Sequence, residues 1–129
     1  MMNLDPNKFT EMAMDAIQEV QNMMQRHGHQ EGDTWHLLAA VVRQENGIVP
    51  VLLEEMGITL SAVQLNLERE LDKLPKVSGS ADTSRVYVSQ ALNESLRLAD
   101  ESSKKLKDEY VSTEHLFLGI VELSKPATL

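Results

Sequence analysis

The sequence predicts an all-α fold made of two related helical repeats, and three observations support this prediction. Hydrophobic residues make up 42% of the 129-residue chain but aromatic residues only 4%, and the apolar content is mainly Leu, Val, Ala, Met and Ile, which suits helix-on-helix packing. Apolar side chains recur at helical spacing between capping residues and glycines. A short phrase, T-x-H-L, occurs twice, 79 positions apart, and the helical pattern repeats with it.

The first predicted helix lies near the start of the chain. Asp5 is its candidate N-cap, Pro6 stands at the first helical position and Gly28 follows its end, an arrangement typical of helix termini. Residues three or four apart lie on one side of a helix, so they can share a buried face. The side chains predicted to form that face are Phe9, Ala13, Ile17, Val20 and Met24.

Three further helices are predicted before the middle of the chain. The second begins after the N-cap Asp33 and runs to about residue 44, where an Asn-Gly pair stops it. Pro50 opens a short third helix that Gly57 closes. The fourth begins near residue 60, where Ser61 and Gln64 have the spacing of a capping box. Its predicted buried stripe is Val63, Leu67 and Leu71.

A linker and two more helices complete the predicted elements. Residues 75–84 contain Pro, Gly, Ser and Asp but almost no large apolar side chain, which predicts a linker. The chain is then briefly extended at residues 86–88, Ser89 caps a fifth helix, and Ser112 caps a sixth, TEHLFLGIVEL. The predicted buried stripe of the fifth helix is Leu92, Leu96, Ala99 and Leu106.

Sliding the chain on itself by 79 residues aligns the predicted helix starts and matches identical residues at several positions. Those of the first copy are Thr34, His36, Leu37 and Val42, which meet positions 113, 115, 116 and 121. A unit too small to bury its own apolar face packs against its twin, so we expect an approximate twofold relation. The predicted organisation is one domain over 1–129, with repeat one at about 5–74, the linker at about 75–84 and repeat two at about 85–129. Repeat two is expected to be truncated, lacking counterparts of the third and fourth helices.

The composition excludes several classes of partner. With 20 acidic and 12 basic residues the formal charge is −8, which disfavours binding to a nucleic-acid phosphate backbone. The sequence has no cysteine, no apolar run near the roughly 18 residues needed to cross a bilayer and no signal-peptide pattern. We therefore expect a soluble, cytoplasmic chain that binds neither nucleic acid nor a membrane.

No motif in the sequence favours catalysis or a cofactor. There is no G-x-x-x-x-G-K-[ST] loop for ATP and no G-x-S-x-G nucleophile setting. The four histidines are His27, His29, His36 and His115. The H-x-H pair at 27 and 29 leaves a metal site as one interpretation, but no Cys, Asp or Glu stands at recognisable ligand spacing. The other interpretation, which we prefer, is that His36 and His115 form hydrogen bonds within their own repeats.

Methionines are concentrated in the first helix. Met12 and Met23 widen its apolar stripe, Met24 belongs to it, and Met14 falls off it. Core filling by a flexible side chain is the plainer interpretation. The alternative is that Met12 and Met23 form the rim of an adaptable binding groove, because methionine suits promiscuous surfaces.

The fifth helix carries a second strip of mostly small residues beside its buried stripe. The strip consists of Ala91, Ser95, Leu98 and Ser102, and Leu98 is its only large apolar member. A single surface Leu is commonplace, but a Leu among small residues could also floor a shallow groove for an extended apolar peptide. Asp108 and Glu114 lie around the start of the sixth helix, where the helix dipole favours acids by about 0.3 to 1 kcal/mol.

Taken together, these motifs resemble those of a known family. The segments GHQEGDTWHLLAAVVRQENGIVPVLLEEMG, LPKVSGSA and DEYVSTEHLFLGIVE are similar to the amino-terminal domain of Clp ATPases, and in particular of ClpB-type AAA+ protein disaggregases. The resemblance covers essentially the whole chain.

The resemblance implies a mobile helical domain that binds substrates for a homohexameric, ATP-driven unfoldase. Its partners would be unfolded or aggregated polypeptides, with cooperation from an Hsp70-type chaperone, and ATP and Mg²⁺ would bind in AAA+ modules outside this sequence. Asp108 and Glu114 would belong to the substrate-handling surface. The alternative is an adaptor-docking domain of a protease-linked ClpC or ClpA type unfoldase. In ClpC-like relatives a Glu in each copy resembles a phosphoarginine-binding residue, but the first copy here has Trp35 in that place.

Overall fold

A computed structural model describes residues 4–76 and 87–124 of the chain. These residues form six α-helices, a one-turn 3-10 helix at Pro6–Lys8 and two strands of two residues each. The helices are α1 (Glu11–His27), α2 (Thr34–Arg43), α3 (Ile48–Glu55), α4 (Leu60–Asp72), α5 (Gln90–Lys105) and α6 (Thr113–Leu123), and the strands are β1 (Glu31–Gly32) and β2 (Tyr87–Val88). The predicted all-α class is confirmed.

The start of α1 differs from the prediction. Asp5 caps only the 3-10 turn, and the N-cap of α1 is Thr10, whose hydroxyl accepts a hydrogen bond from the Ala13 N–H at 3.1 Å. Phe9 therefore lies outside the helix, where it forms a parallel bridge with Val111. The Asp-Pro pair is a strong local start signal, but the chain uses it for one turn and then begins a second helix.

Two details of α3 and α4 also correct the prediction. Helix α3 begins at Ile48, so Pro50 lies inside its first turn, where a missing N–H is tolerated. Helix α4 is preceded by Thr59 and has no side-chain cap, so the predicted capping box of Ser61 and Gln64 was wrong. Its buried residues are Leu67 and Leu71, with Val63 partly buried.

The predicted linker falls mostly on residues that the structure does not describe. Residues 77–84 and Val86 lie outside the described residues, while Tyr87 and Val88 form β2 as predicted. The proposed boundaries of the two repeats remain a prediction.

The helix pairs of the two halves correspond closely. A shift of 79 residues carries the first residues of α1 and α2 onto the first residues of α5 and α6. The N-caps coincide as well, because Thr10 corresponds to Ser89 and Asp33 to Ser112. Both halves thus contain the same helix, short extended segment and second helix.

The backbone pairing between the halves is reciprocal. Gly32 lies opposite Val88 in the parallel β1–β2 pair, and Phe9 lies opposite Val111 in the isolated bridge. The shift of 79 residues exchanges these two pairs. The corresponding hydrogen bonds are Ser89 N–H to Gly32 O at 2.9 Å and Thr10 N–H to Val111 O at 3.0 Å. Reciprocal exchange is what a twofold relation between the halves produces.

The core surrounds α2. This helix is buried on nearly every side, including both of its alanines and both of its valines. Helix α5 buries Leu92, Leu96 and Ala99 as predicted. Leu106, however, is exposed, and Ser103 takes the next buried position, because the helix ends before Leu106 can reach the core.

Candidate functional site

The small-residue strip of α5 serves mainly as the contact for α6. Ser95 is fully buried, and a Cβ atom added at Gly119 of α6 would overlap the Ser95 carbonyl oxygen. The Ser95 hydroxyl donates to the Leu92 carbonyl at 2.8 Å. The prediction that Ser95 helps to floor an open groove was therefore wrong, because small side chains here allow two helices to approach closely. Ala91 and Leu98 remain partly exposed on α5.

Asp108 is tied to the start of α6. Its carboxylate accepts a hydrogen bond from His115 Nε2 at 2.8 Å. His115 Nδ1 in turn accepts from the Ser112 backbone N–H at 2.9 Å, which places the ring proton on Nε2. Asp108 thus orients a buried histidine that closes the capping box of α6. The carboxylate itself is exposed, so it can also contact a ligand.

Glu114 occupies the first turn of α6, one residue before His115. The helix dipole favours an acid at this position. In the first half the corresponding residue is Trp35, which is also partly exposed. The two halves thus present different chemistry at equivalent places, with an acid on one and an indole on the other.

The first half contains the same histidine device with a different partner. His36 Nδ1 accepts from the Asp33 backbone N–H at 3.0 Å, so His36 Nε2 donates to His29 Nδ1 at 2.9 Å. His29 corresponds to Asp108 under the shift of 79 residues. The preferred interpretation of His36 and His115 is confirmed. The partners were missed, although the shift pairs them in the sequence.

Burial lowers the pKa of His36 to about 4, and the neighbouring His29 adds to this effect, while Asp33 opposes it. The pKa of His29 is also lowered, first by burial and then by His27. His27 stacks on His29 with 5.3 Å between ring centroids. The first-half histidines are therefore held neutral near pH 7.

The two methionines proposed as a groove rim lie in different places. Met23 is fully buried and belongs to the core, so it cannot contact a ligand and that part of the prediction was wrong. Met12 lines a cleft of about 400 Å³ between α1 and α2. Met14, predicted to lie off the apolar face, packs partly against the core.

The α1–α2 cleft is acidic. Asp15, Glu19 and Glu45 line it together with the guanidinium of Arg43. Glu19 is already paired with Arg26 at 2.8 Å, and this partner lowers the pKa of the Glu19 carboxyl. The cleft is thus a polar recess rather than the apolar groove that the methionines had indicated.

The described residues contain no group of three or more His, Cys, Asp or Glu side chains that could hold a metal ion. Within residues 4–76 and 87–124, no single helix is long and apolar enough to cross a membrane. Helices α3 and α4 meet that test only as a pair, and a bend of 116° separates them.

Comparison with known proteins was made at the level of sequence and of structure. The Clp repeat (R) N-terminal domain family matches residues 8–128. The chain is 48% identical over 120 residues to the chaperone protein ClpB of Nitratidesulfovibrio vulgaris and 34% identical over 120 residues to that of Bacillus cereus. In each case the match covers 92% of this chain but only 14% of the relative.

Solved structures share the fold at lower identity. The Hsp104 N-terminal domain from Candida albicans superposes with a TM-score of 0.80 at 21% identity, covering 89% of this chain and 74% of that chain. A complex of the ClpV N-domain with a VipB peptide gives a TM-score of 0.76 at 17% identity, covering 94% of this chain and 78% of that chain. At these identities the likeness shows the fold alone.

Proposed function

Because the chain belongs to the Clp repeat N-terminal domain family, we propose that it is the N-terminal, substrate-binding domain of a ClpB-type AAA+ disaggregase. The observation that carries the proposal is the match to ClpB, 48% identical across 92% of this chain. The chain spans 14% of that relative's length, so the ATPase modules would lie elsewhere in the parent protein.

In this proposal the domain performs no bond chemistry. It binds exposed apolar segments of unfolded or aggregated polypeptides weakly and passes them to the ATPase ring. ATP and Mg²⁺ bind to the ring, and the domain itself needs no cofactor. The parent protein is a cytoplasmic homohexamer that works with an Hsp70-type chaperone.

The accessible residues of α5 and the α5–α6 connection support a client-binding surface in the second half. Leu98 and Ala91 are two turns apart on one side of α5, and both are partly exposed. Leu98 precedes the end of α5 by about 10 Å of helix, and Asp108 and Glu114 follow that end. An apolar client segment would cover Leu98, and the two carboxylates would favour basic residues beside that segment.

The experiment is a fluorescence titration of a labelled unfolded client against four variants. Leu98→Glu places a charge where apolar side chains dock, so its affinity should fall at least about tenfold, equivalent to about 1.4 kcal/mol. Leu65→Glu is the matched control, because Leu65 is an exposed leucine on α4, and its affinity should change little. Asp108→Ala and Glu114→Ala should each weaken binding by a smaller factor.

Thermal melts of the same variants separate binding from folding. Each acid variant should lose at most about 1 kcal/mol of stability, because exposed ion pairs and dipole contacts contribute little. If affinity losses merely follow stability losses, or if Leu65→Glu loses as much as Leu98→Glu, this surface is not the client site.

Adaptor docking, as in a protease-linked Clp unfoldase, is the rival function. A symmetric pair of acidic sites would need an acid at the start of both α2 and α6, but the first half has Trp35 opposite Glu114 of the second. Co-purification of the parent protein with a ClpP-type protease would favour the rival. Refolding of aggregated client with an Hsp70 system, without proteolysis, would favour the disaggregase.

A further inference from the structure

Helices α2 and α6 have similar apolar sequences but different surroundings. Each carries apolar side chains on nearly all sides, as expected of a helix enclosed by others. Helix α2 is enclosed, whereas α6 is covered on only one side, by α5, α2 and other first-half elements. The outer side of α6 presents two large exposed apolar residues, Leu118 and Val121.

The first half shows what covers this side of the equivalent helix. The counterparts of Leu118 and Val121 are Ala39 and Val42, each 1% exposed, whereas Leu118 and Val121 are 42% and 43% exposed. A strip that is buried on one repeat is thus open on the other.

Helix α4 provides the cover in the first half. Ala39 and Arg43 of α2 share a recess with Leu67 and Glu68 of α4. Arg43 also approaches Glu68 within 3.8 Å, which joins the two helices at their surface. An apolar helix with a polar outer side is therefore the kind of element that fits this strip.

We propose that the outer side of α6, at Leu118 and Val121, is the docking surface for one further helix of the same parent chain. The occupant is the second-repeat equivalent of α4, which the shift of 79 residues places at about residues 139–151. The proposal commits to the same chain because this chain covers only 74% of the solved Hsp104 domain and 14% of the ClpB relative. It does not depend on the client-binding function.

The test compares residues 1–129 with a fragment of the parent protein extended to about residue 155. Leu118→Asp should lower the Tm of the 129-residue chain by no more than about 2 °C, because the side chain is already in water. In the extended fragment the same change buries a charge against an apolar helix, and the Tm should fall by at least about 6 °C. Leu65→Asp on α4 is the exposed-leucine control and should have equally small effects in both fragments.

Two results would overturn the proposal. One is an equally small effect of Leu118→Asp in both fragments, which would leave the α6 side uncovered by the chain. The other is a dimer of the 129-residue chain, seen by sedimentation, that Leu118→Asp dissociates while the extension leaves the dimer intact. In that case the occupant is a second copy.

Discussion

Lowering the pH from 7 to 5 should destabilise the domain through His36. The unfolded chain has a histidine pKa near 6.5, whereas burial and His29 lower the pKa of folded His36 to about 4. Between these values the unfolded state binds a proton that the folded state does not, so stability falls as the pH falls. For the printed shift the loss between pH 7 and pH 5 is about 2 kcal/mol. The lowered pKa of His29 acts in the same direction.

The assay is a series of urea titrations across this pH range, with an NMR titration of the His36 ring protons to assign the effect. The second half supplies the matched variant, because Asp108 stands where the first half has His29. His29→Asp would give His36 a carboxylate partner, which favours its protonated form. The loss of stability between pH 7 and 5 should then shrink by about 1 kcal/mol or more. The variant can be less stable at pH 7, so the slope is the quantity compared.

Two results would refute this reasoning. The first is a His36 resonance that titrates near pH 6.5 in the folded protein, which would mean that burial does not suppress its protonation. The second is a stability slope between pH 7 and 5 that is the same in the wild type and in His29→Asp.

Three further substitutions test the packing. Gly119→Ala would press a methyl group into the Ser95 carbonyl, and urea unfolding should show a loss of about 2 to 3 kcal/mol; a neutral result would mean that α5 and α6 are farther apart. Ser89→Ala removes the hydroxyl that caps α5 and should cost about 1 kcal/mol in the same assay, with unchanged stability contradicting the cap. Met23→Ala should cost about 3 kcal/mol by leaving a cavity, whereas Met12→Ala at the cleft surface should cost under about 1 kcal/mol, and equal losses would contradict the assigned burial.

Much of the fold could be predicted because its signals are local and repeated. The caps Asp33, Ser89 and Ser112 are each followed by apolar residues at helical spacing, and the structure confirms all three. The repeated T-x-H-L phrase made the second pair of helices predictable from the first. The start of α1 was missed because an Asp-Pro signal at Asp5 outweighed Thr10, and the sequence does not show which cap the tertiary contacts favour.

The candidate site was harder to predict because the same residues serve two purposes. Small side chains allow a peptide to lie on a helix, and they equally allow another helix to approach. Ser95 serves the second purpose, since Gly119 of α6 occupies its face. Met23 failed for a related reason: periodicity places a residue on the apolar side of a helix but does not say whether that side is covered. The partner that faces each strip is a property of the assembled fold.

The reciprocal backbone pairing has a consequence for how the domain comes apart. Thr10 precedes the first helix of one half, yet its N–H is bonded to Val111 in the other, and Ser89 is bonded to Gly32 in the same crossed manner. Each half therefore holds the entrance of its twin, and neither can melt without releasing backbone groups in the other. A chain cleaved between Lys76 and Tyr87 should accordingly remain one particle, whose two pieces dissociate and lose helicity in a single concentration-dependent transition.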